Sequence, residues 1–99
     1  MDLGRFKQSL SEPNPPERAS PELAALWHAA KGGWDSAHQL VQNEETREAA
    51  WVHTHLHRIE GDLDNAGYWY GRAKRSRSDR PLPEEWDEIA KALLESDVA

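Results

Sequence analysis

The chain has 99 residues and a formal net charge of −6, which is enough sequence for one domain with a modest hydrophobic core. An acidic protein repels phosphate backbones, the absence of cysteine excludes disulfides and thiolate metal sites, and no apolar run is long enough to span a membrane. We therefore predict a cytoplasmic protein that binds neither nucleic acid nor membrane.

The amino-terminal segment predicts a short helix followed by an extended tether. Asp2 is a suitable N-cap for a helix that ends near Leu10. Three prolines then occur within four positions, and proline cannot continue a helix because it has no amide hydrogen. We assign residues 1–19 to an N-terminal helix with a Pro-rich tether and residues 20–99 to a helical-hairpin repeat domain.

Two helical hairpins are predicted next, each with a glycine between its helices. In the first, Ser20 caps a helix that ends at Lys31, and a second helix covers about 34–43. In the second, helices are predicted over 46–60 and 63–75, because apolar residues recur there at helical spacing.

We predict that helix 63–75 contacts its neighbour through Leu63, Trp69, Tyr70 and Ala73. A final helix over 84–96 places its apolar residues on one face and acidic residues in its first turns, as the helix dipole favours. We predict that this amphipathic helix caps the stack of hairpins.

One sequence pattern occurs twice, as GGWDSA at 32–37 and as GDLDNA at 61–66, with an offset of 29 residues. Each copy follows one predicted helix and begins another. Internal repetition of this kind is typical of stacked helical hairpins, which present a surface rather than enclose a reaction.

The second copy resembles a tetratricopeptide repeat in the spacing of its small and aromatic residues, which are Gly61, Ala66, Tyr70 and Ala73. Segments 25–38 and 51–70 together resemble a family of small uncharacterised bacterial proteins, a likeness that covers roughly residues 23–75. The resemblance implies an all-α fold of two degenerate tetratricopeptide-like antiparallel hairpins with an N-terminal helix and a C-terminal capping helix. It implies no activity.

Four histidines are candidates for a polar pocket: His28, His38, His53 and His57. His53 and His57 have the i,i+4 spacing that zinc-binding helices use, and His28 lies 29 residues before His57. A zinc or other divalent ion, if bound, is assigned to His53, His57 and His28, with Glu60 or Asp35 as a supporting carboxylate. The other interpretation is that these are half-buried helix residues hydrogen-bonded to backbone or carboxylate groups.

Aromatic residues are the candidates for a protein-binding surface. Tyr68, Trp69 and Tyr70 are consecutive, and successive helix residues differ in direction by about 100°, so at least one is predicted to lie near solvent. We chose Trp51 and one of Tyr68 or Trp69 as interface anchors, because aromatic side chains dominate interface energies.

These observations favour a binding or scaffold protein without a cofactor, whose partner is another protein or a second copy in a homodimer. The sequence contains no glycine-rich phosphate loop and no nucleophile elbow, so we do not assign it a catalytic residue. The alternative is a small-ligand or metal-binding protein, enzymatic or not, with a pocket lined by histidines.

Overall fold

A computed structural model describes residues 1–96, which form α-helices and one short 3₁₀ helix at Ser9–Ser11 and contain no strand. The α-helices are α1 (Leu3–Gln8), α2 (Pro21–Ala30), α3 (Trp34–Val41), α4 (Arg47–Ile59), α5 (Leu63–Ala73) and α6 (Leu82–Ser96). The all-α prediction is confirmed. The last three positions of the predicted domain 20–99 lie outside the described residues.

Side-chain caps fix where four of the helices begin. Asp2, Ser20, Thr46 and Asp62 each accept a hydrogen bond from the amide three residues further along, at 2.8, 3.2, 3.0 and 3.2 Å. Each bond satisfies an amide that the first turn of a helix leaves unpaired, and such a cap stabilises a helix by about 1 kcal/mol. The caps predicted at Asp2 and Ser20 are confirmed.

The repeated sequence pattern forms the same turn twice. Gly32 and Gly61 both have φ of 80°, a backbone conformation that a side chain disfavours. Their amides donate to Ala29 O and Arg58 O, both at 3.1 Å. The next amides, of Gly33 and Asp62, donate to His28 O and His57 O at 2.8 and 2.9 Å. The 29-residue offset therefore relates equivalent positions in space as well as in sequence.

Helix α4 is the centre of the molecule. Helix α2 packs most extensively against α3, and α4 against α5, while α4 also contacts α2, α3 and α6. The nine consecutive residues from Ala49 to His57 are all buried. A helix buried on every side presents side chains to several neighbours at once, so α4 can contribute to more than one polar cluster.

The N-terminal segment and α6 belong to the same core as the hairpins. Phe6 is fully buried and stacks on Trp86 of α6, with ring centroids 5.7 Å apart. The indole N–H of Trp86 donates to Leu26 O at 2.8 Å, and that of Trp27 donates to Ser9 O at 3.1 Å. These two bonds connect α6 and the N-terminal segment to α2.

One predicted contact of α5 is wrong. Leu63 is 61% exposed, whereas Tyr70 and Ala73 of the same stripe are buried and Trp69 is half-buried. Leu63 is the first residue of α5 and lies beside the turn where α4 ends, and Ile59 at the end of α4 is also exposed. The predicted contact residues therefore extend beyond the part of α5 that a neighbouring helix covers.

Candidate metal centre

Three histidines from two helices come together at the junction of the hairpins. One ring nitrogen each of His38, His53 and His57 lies within 4.8 Å of the other two. His53 and His57 are one turn apart on α4, with ring centroids separated by 5.3 Å and ring planes parallel to within 4°. His38 of α3 approaches the edge of His53, with centroids 4.7 Å apart. The group therefore depends on the packing of α3 against α4.

Two tryptophans hold the rings in place. Trp34 stacks on His38 at a centroid distance of 4.8 Å, and its indole N–H donates to Leu56 O of α4 at 2.6 Å. This bond fixes the start of α3 on α4 and so positions His38 one turn later. Trp69 of α5 stacks on His53 at 4.0 Å. Packing on both sides limits the rotation of these imidazoles.

A carboxylate orients the third histidine. His57 Nδ1 lies 2.7 Å from Glu60 Oε1. A carboxylate accepts hydrogen bonds, so Nδ1 is the donor and carries the hydrogen in this arrangement. In the neutral form of such a ring, Nε2 has the free lone pair. Metal-binding histidines commonly have such a carboxylate on their other nitrogen, because it fixes the tautomer and makes the ligand more basic.

The cluster disfavours protonation at its centre. Burial, and the neighbouring His38 and His57, lower the pKa of His53 to about 4. The cause is that a charged imidazole loses hydration in this site and is repelled by charge on the other two rings. His53 is therefore neutral at physiological pH, with a nitrogen lone pair available. Neutral imidazole is the form that binds a metal ion.

The spacing of the three nitrogens bears on whether one metal ion can bind them. Zn–N bonds of about 2.0–2.1 Å in a tetrahedral site place two nitrogens roughly 3.3 Å apart. The separations here are at most 4.8 Å, so the three nitrogens are close enough to be candidate ligands of one ion and would have to draw closer to bind it. Imidazole nitrogen suits zinc, copper and nickel better than magnesium or calcium. The donor set therefore indicates a transition-metal ion.

The structure brings His38, and not His28, to the His53–His57 pair. His28 is half-buried on α2 with its ring 5.1 Å from that of Trp27, and it belongs to no group of potential ligands in residues 1–96. It occupies in the first hairpin the place that His57 occupies in the second. The cluster forms between hairpins, where α4 meets α3, so the repeat equivalent of His57 lies apart from it.

The three aromatic candidates lie in different environments. Trp51 is buried, and the guanidinium of Arg75 lies 3.6 Å above its ring. Trp69 is half-buried against His53. Tyr68 is 56% exposed, and its hydroxyl accepts a hydrogen bond from Arg72 Nη1 at 3.0 Å. The prediction that one of the consecutive aromatics lies near solvent is confirmed by Tyr68.

A second polar cluster was not predicted. Glu85 of α6 is fully buried, and its Oε1 lies 2.7 Å from His55 Nδ1. Its Oε2 accepts a hydrogen bond from the Tyr70 hydroxyl and lies 3.0 Å from Arg58 Nη1. The alignment of Arg58 Nη1 is not that of a hydrogen bond, so this contact is an ion pair only. The available signal was that Glu85 precedes buried Ile89 by four residues and so shares its face.

The second cluster keeps its carboxylate ionised. Burial alone would raise the pKa of Glu85, but hydrogen bonds from His55 and Tyr70 and the charge of Arg58 outweigh it, and the pKa is lowered. Burial, and then the adjacent carboxylate, raise the pKa of Tyr70 to about 12. The cluster joins α4, α5 and α6 through one buried carboxylate.

No helix within residues 1–96 has the length and apolar character needed to cross a membrane. No protein-family model matches the chain, and no solved structure matches it significantly.

Proposed function

We propose that the protein binds a divalent transition-metal ion, zinc in the first instance, through His38, His53 and His57. The observation that supports this most is the approach of three imidazole nitrogens to within 4.8 Å of one another. Imidazole is the commonest nitrogen ligand of zinc, and three histidines form a recognised zinc donor set. The bond from His57 to Glu60 and the neutrality of His53 support the same function.

Metal binding at this place connects the two hairpins. His38 belongs to α3, and the other two ligands belong to α4. An ion bound to all three stabilises the folded state relative to the unfolded chain, in which the ligands are far apart. With zinc at about 100 times its dissociation constant, the free energy of unfolding rises by about 2.7 kcal/mol.

The test is zinc titration of protein purified without a histidine tag, by calorimetry and by thermal unfolding. We expect one zinc ion per chain and a raised melting temperature. His38→Ala should abolish both effects, and His28→Ala is the matched control that should retain them. No zinc binding by the wild-type protein would contradict the proposal, and so would loss in His28→Ala with retention in His38→Ala.

A second candidate function is binding to another protein or to a second copy of the chain. It is supported by two consecutive hairpins with the same turn, as in tetratricopeptide-like repeats, and by exposed apolar residues on the second hairpin, which are Ile59, Leu63 and Tyr68. Light scattering on the untagged protein tests self-association. A concentration-dependent dimer that Leu63→Glu disrupts would support it, and a monomer at high concentration would contradict the homodimer.

A further inference from the structure

We infer that the metal at the three-histidine site keeps a fourth coordination position open to a small anion or to water from solvent. This inference rests on the proposed metal binding. Zinc in proteins is usually four-coordinate. In the part of the chain that the structure describes, the group formed by His38, His53 and His57 includes no fourth histidine or carboxylate ligand, and the chain has no cysteine. Three donors therefore come from the protein.

The nearest carboxylates lie on the wrong side of His57 to complete the site. Glu60 Oε1 is 2.7 Å from Nδ1 of His57, whereas the metal requires the opposite nitrogen, Nε2. The two nitrogens of an imidazole point away from each other. Asp62 forms a group with His57 and Glu60 and not with His38 or His53. Neither acid therefore joins the group of His38, His53 and His57 that would hold the metal.

The three histidines of the site differ in burial. His53 and His57 are buried, whereas His38 is only half-buried. Trp34 lies against His38 and has its ring centroid 6.0 Å from that of His57, so an aromatic wall borders the site beside His38. His38 is the most exposed of the three histidines, and a ligand that entered beside it would meet the stacked ring of Trp34. These surroundings favour a small ligand over a large one.

The charge of the site selects the class of ligand. Three neutral imidazoles leave the full +2 charge of a zinc ion uncompensated, because no carboxylate binds it directly. An anion in the fourth position reduces this charge in a partly desolvated place, where the attraction is stronger than in water. When water occupies the position, the metal lowers its pKa and makes it a better nucleophile. The expected ligands are therefore small monovalent anions, with water exchanging against them.

The test uses protein loaded with Co²⁺, whose visible absorption reports the number and type of its ligands, and azide as the probe. We expect azide to change the spectrum saturably with a stoichiometry of one per cobalt, by displacing water. His28→Ala should respond as the wild type does. Glu60→Gln should bind cobalt more weakly, because Glu60 fixes the tautomer of His57. Once it is saturated with cobalt, this variant should still respond to azide, because Glu60 does not occupy the fourth position.

Each other outcome has a separate meaning. Failure of the protein to bind Co²⁺ or zinc would overturn the proposed function itself. Bound cobalt with a spectrum that azide does not change would overturn only the open position. Two results would assign the position to a protein group and overturn the inference in the same way. One is a spectrum that gains azide sensitivity only in Glu60→Gln, and the other is cobalt-dependent dimerisation detected by light scattering.

Discussion

The two hairpins share a backbone and differ in chemistry. Their turns have the same φ at Gly32 and Gly61 and the same pair of backbone hydrogen bonds. Ala37 and Ala66, in equivalent places on the second helix of each hairpin, are both buried. The residues that the two copies share are thus those that form the turn and allow close helix packing. They determine architecture and leave the remaining positions free to diverge.

The difference lies in which hairpin has polar groups in its interior. The partners of buried Glu85 all come from the second hairpin and are His55, Arg58 and Tyr70. The equivalent residues of the first hairpin, 29 positions earlier, are Leu26, Ala29 and Val41. Conversely, His38 of the first hairpin corresponds to Gly67 of the second. The same scaffold therefore carries an apolar interior in one copy and an ionic cluster in the other.

The largest expected effect comes from removing the carboxylate at the centre of that ionic cluster. Glu85→Leu leaves Arg58, His55 and Tyr70 without their common partner, and breaking a buried pair in this way costs about 3–5 kcal/mol. Urea denaturation should show this loss in the free energy of unfolding. The exposed neighbour is the control, since Glu84→Leu should change stability by less than about 0.5 kcal/mol.

A combined variant separates the contribution of the cluster from the cost of breaking it. Replacing its members with apolar residues of similar volume, as His55→Leu, Arg58→Met and Tyr70→Phe together with Glu85→Leu, removes every polar side chain of the cluster at once. We expect most of the lost stability to return, because apolar replacement of a whole ionic cluster is often neutral or stabilising. A combined variant less stable than Glu85→Leu alone would show that the cluster itself stabilises the fold.

The local structure and one part of the histidine cluster, the pair His53–His57, could be predicted from the sequence. Capping side chains, glycines and apolar spacing act within a few residues, so the helices and both turns follow from neighbouring positions. The pair His53–His57 has the same local origin, because one helical turn relates its members.

The remaining features depend on contacts between distant segments. The choice of His38 over His28 is set by the packing of α3 against α4, and Glu85 meets His55 across 30 residues. Neither of these two pairings follows from a regular spacing of residues in the sequence. The repeat pointed to His28 because it relates positions within each hairpin, while the cluster lies between hairpins.

Alkaline pH should weaken the ionic cluster without a mutation. The pKa of Tyr70 is raised to about 12 by burial and by Glu85, above its ordinary value of 10.0. Because the folded state favours the neutral hydroxyl, the raised pKa adds to the free energy of unfolding. This contribution is present in full below about pH 10 and is lost as the pH approaches about 12. We expect the free energy of unfolding to fall over this interval. The fall should be smaller in Tyr70→Phe, which has no hydroxyl to ionise.

The ionisation itself is measurable, because the chain has two tyrosines. In a Tyr68→Phe background, the ultraviolet absorbance of tyrosinate reports Tyr70 alone. Absorbance that rises near pH 12, or together with unfolding, agrees with the structure. Ionisation of Tyr70 near pH 10 in a protein that remains folded would contradict its contact with Glu85.

A smaller effect tests whether the two turns are equivalent. Gly32→Ala and Gly61→Ala each place a side chain at φ of 80°, which costs about 1–2 kcal/mol. No heavy atom beyond the chain neighbours lies within 4 Å of either new Cβ, so the cost is that of the backbone alone. Thermal unfolding should show two similar decreases. Unequal decreases would mean that the turns differ in ways that their shared hydrogen bonds do not reveal.

The smallest effect concerns Gly67, the position where the first hairpin has His38. A Cβ at Gly67 would lie 2.0 Å from Arg77 Nη2, but this guanidinium is the end of a flexible side chain and can move aside. Gly71 of the same helix has no heavy atom within 4 Å of a new Cβ and is the matched control. Alanine in a helix is favoured over glycine by about 0.5–1 kcal/mol, so Gly71→Ala should stabilise the protein by that amount. Gly67→Ala should stabilise it less, and the difference measures the packing of Arg77 on α5. A loss of stability in Gly67→Ala would mean that Arg77 is held in place and that the second hairpin needs a glycine where the first has His38.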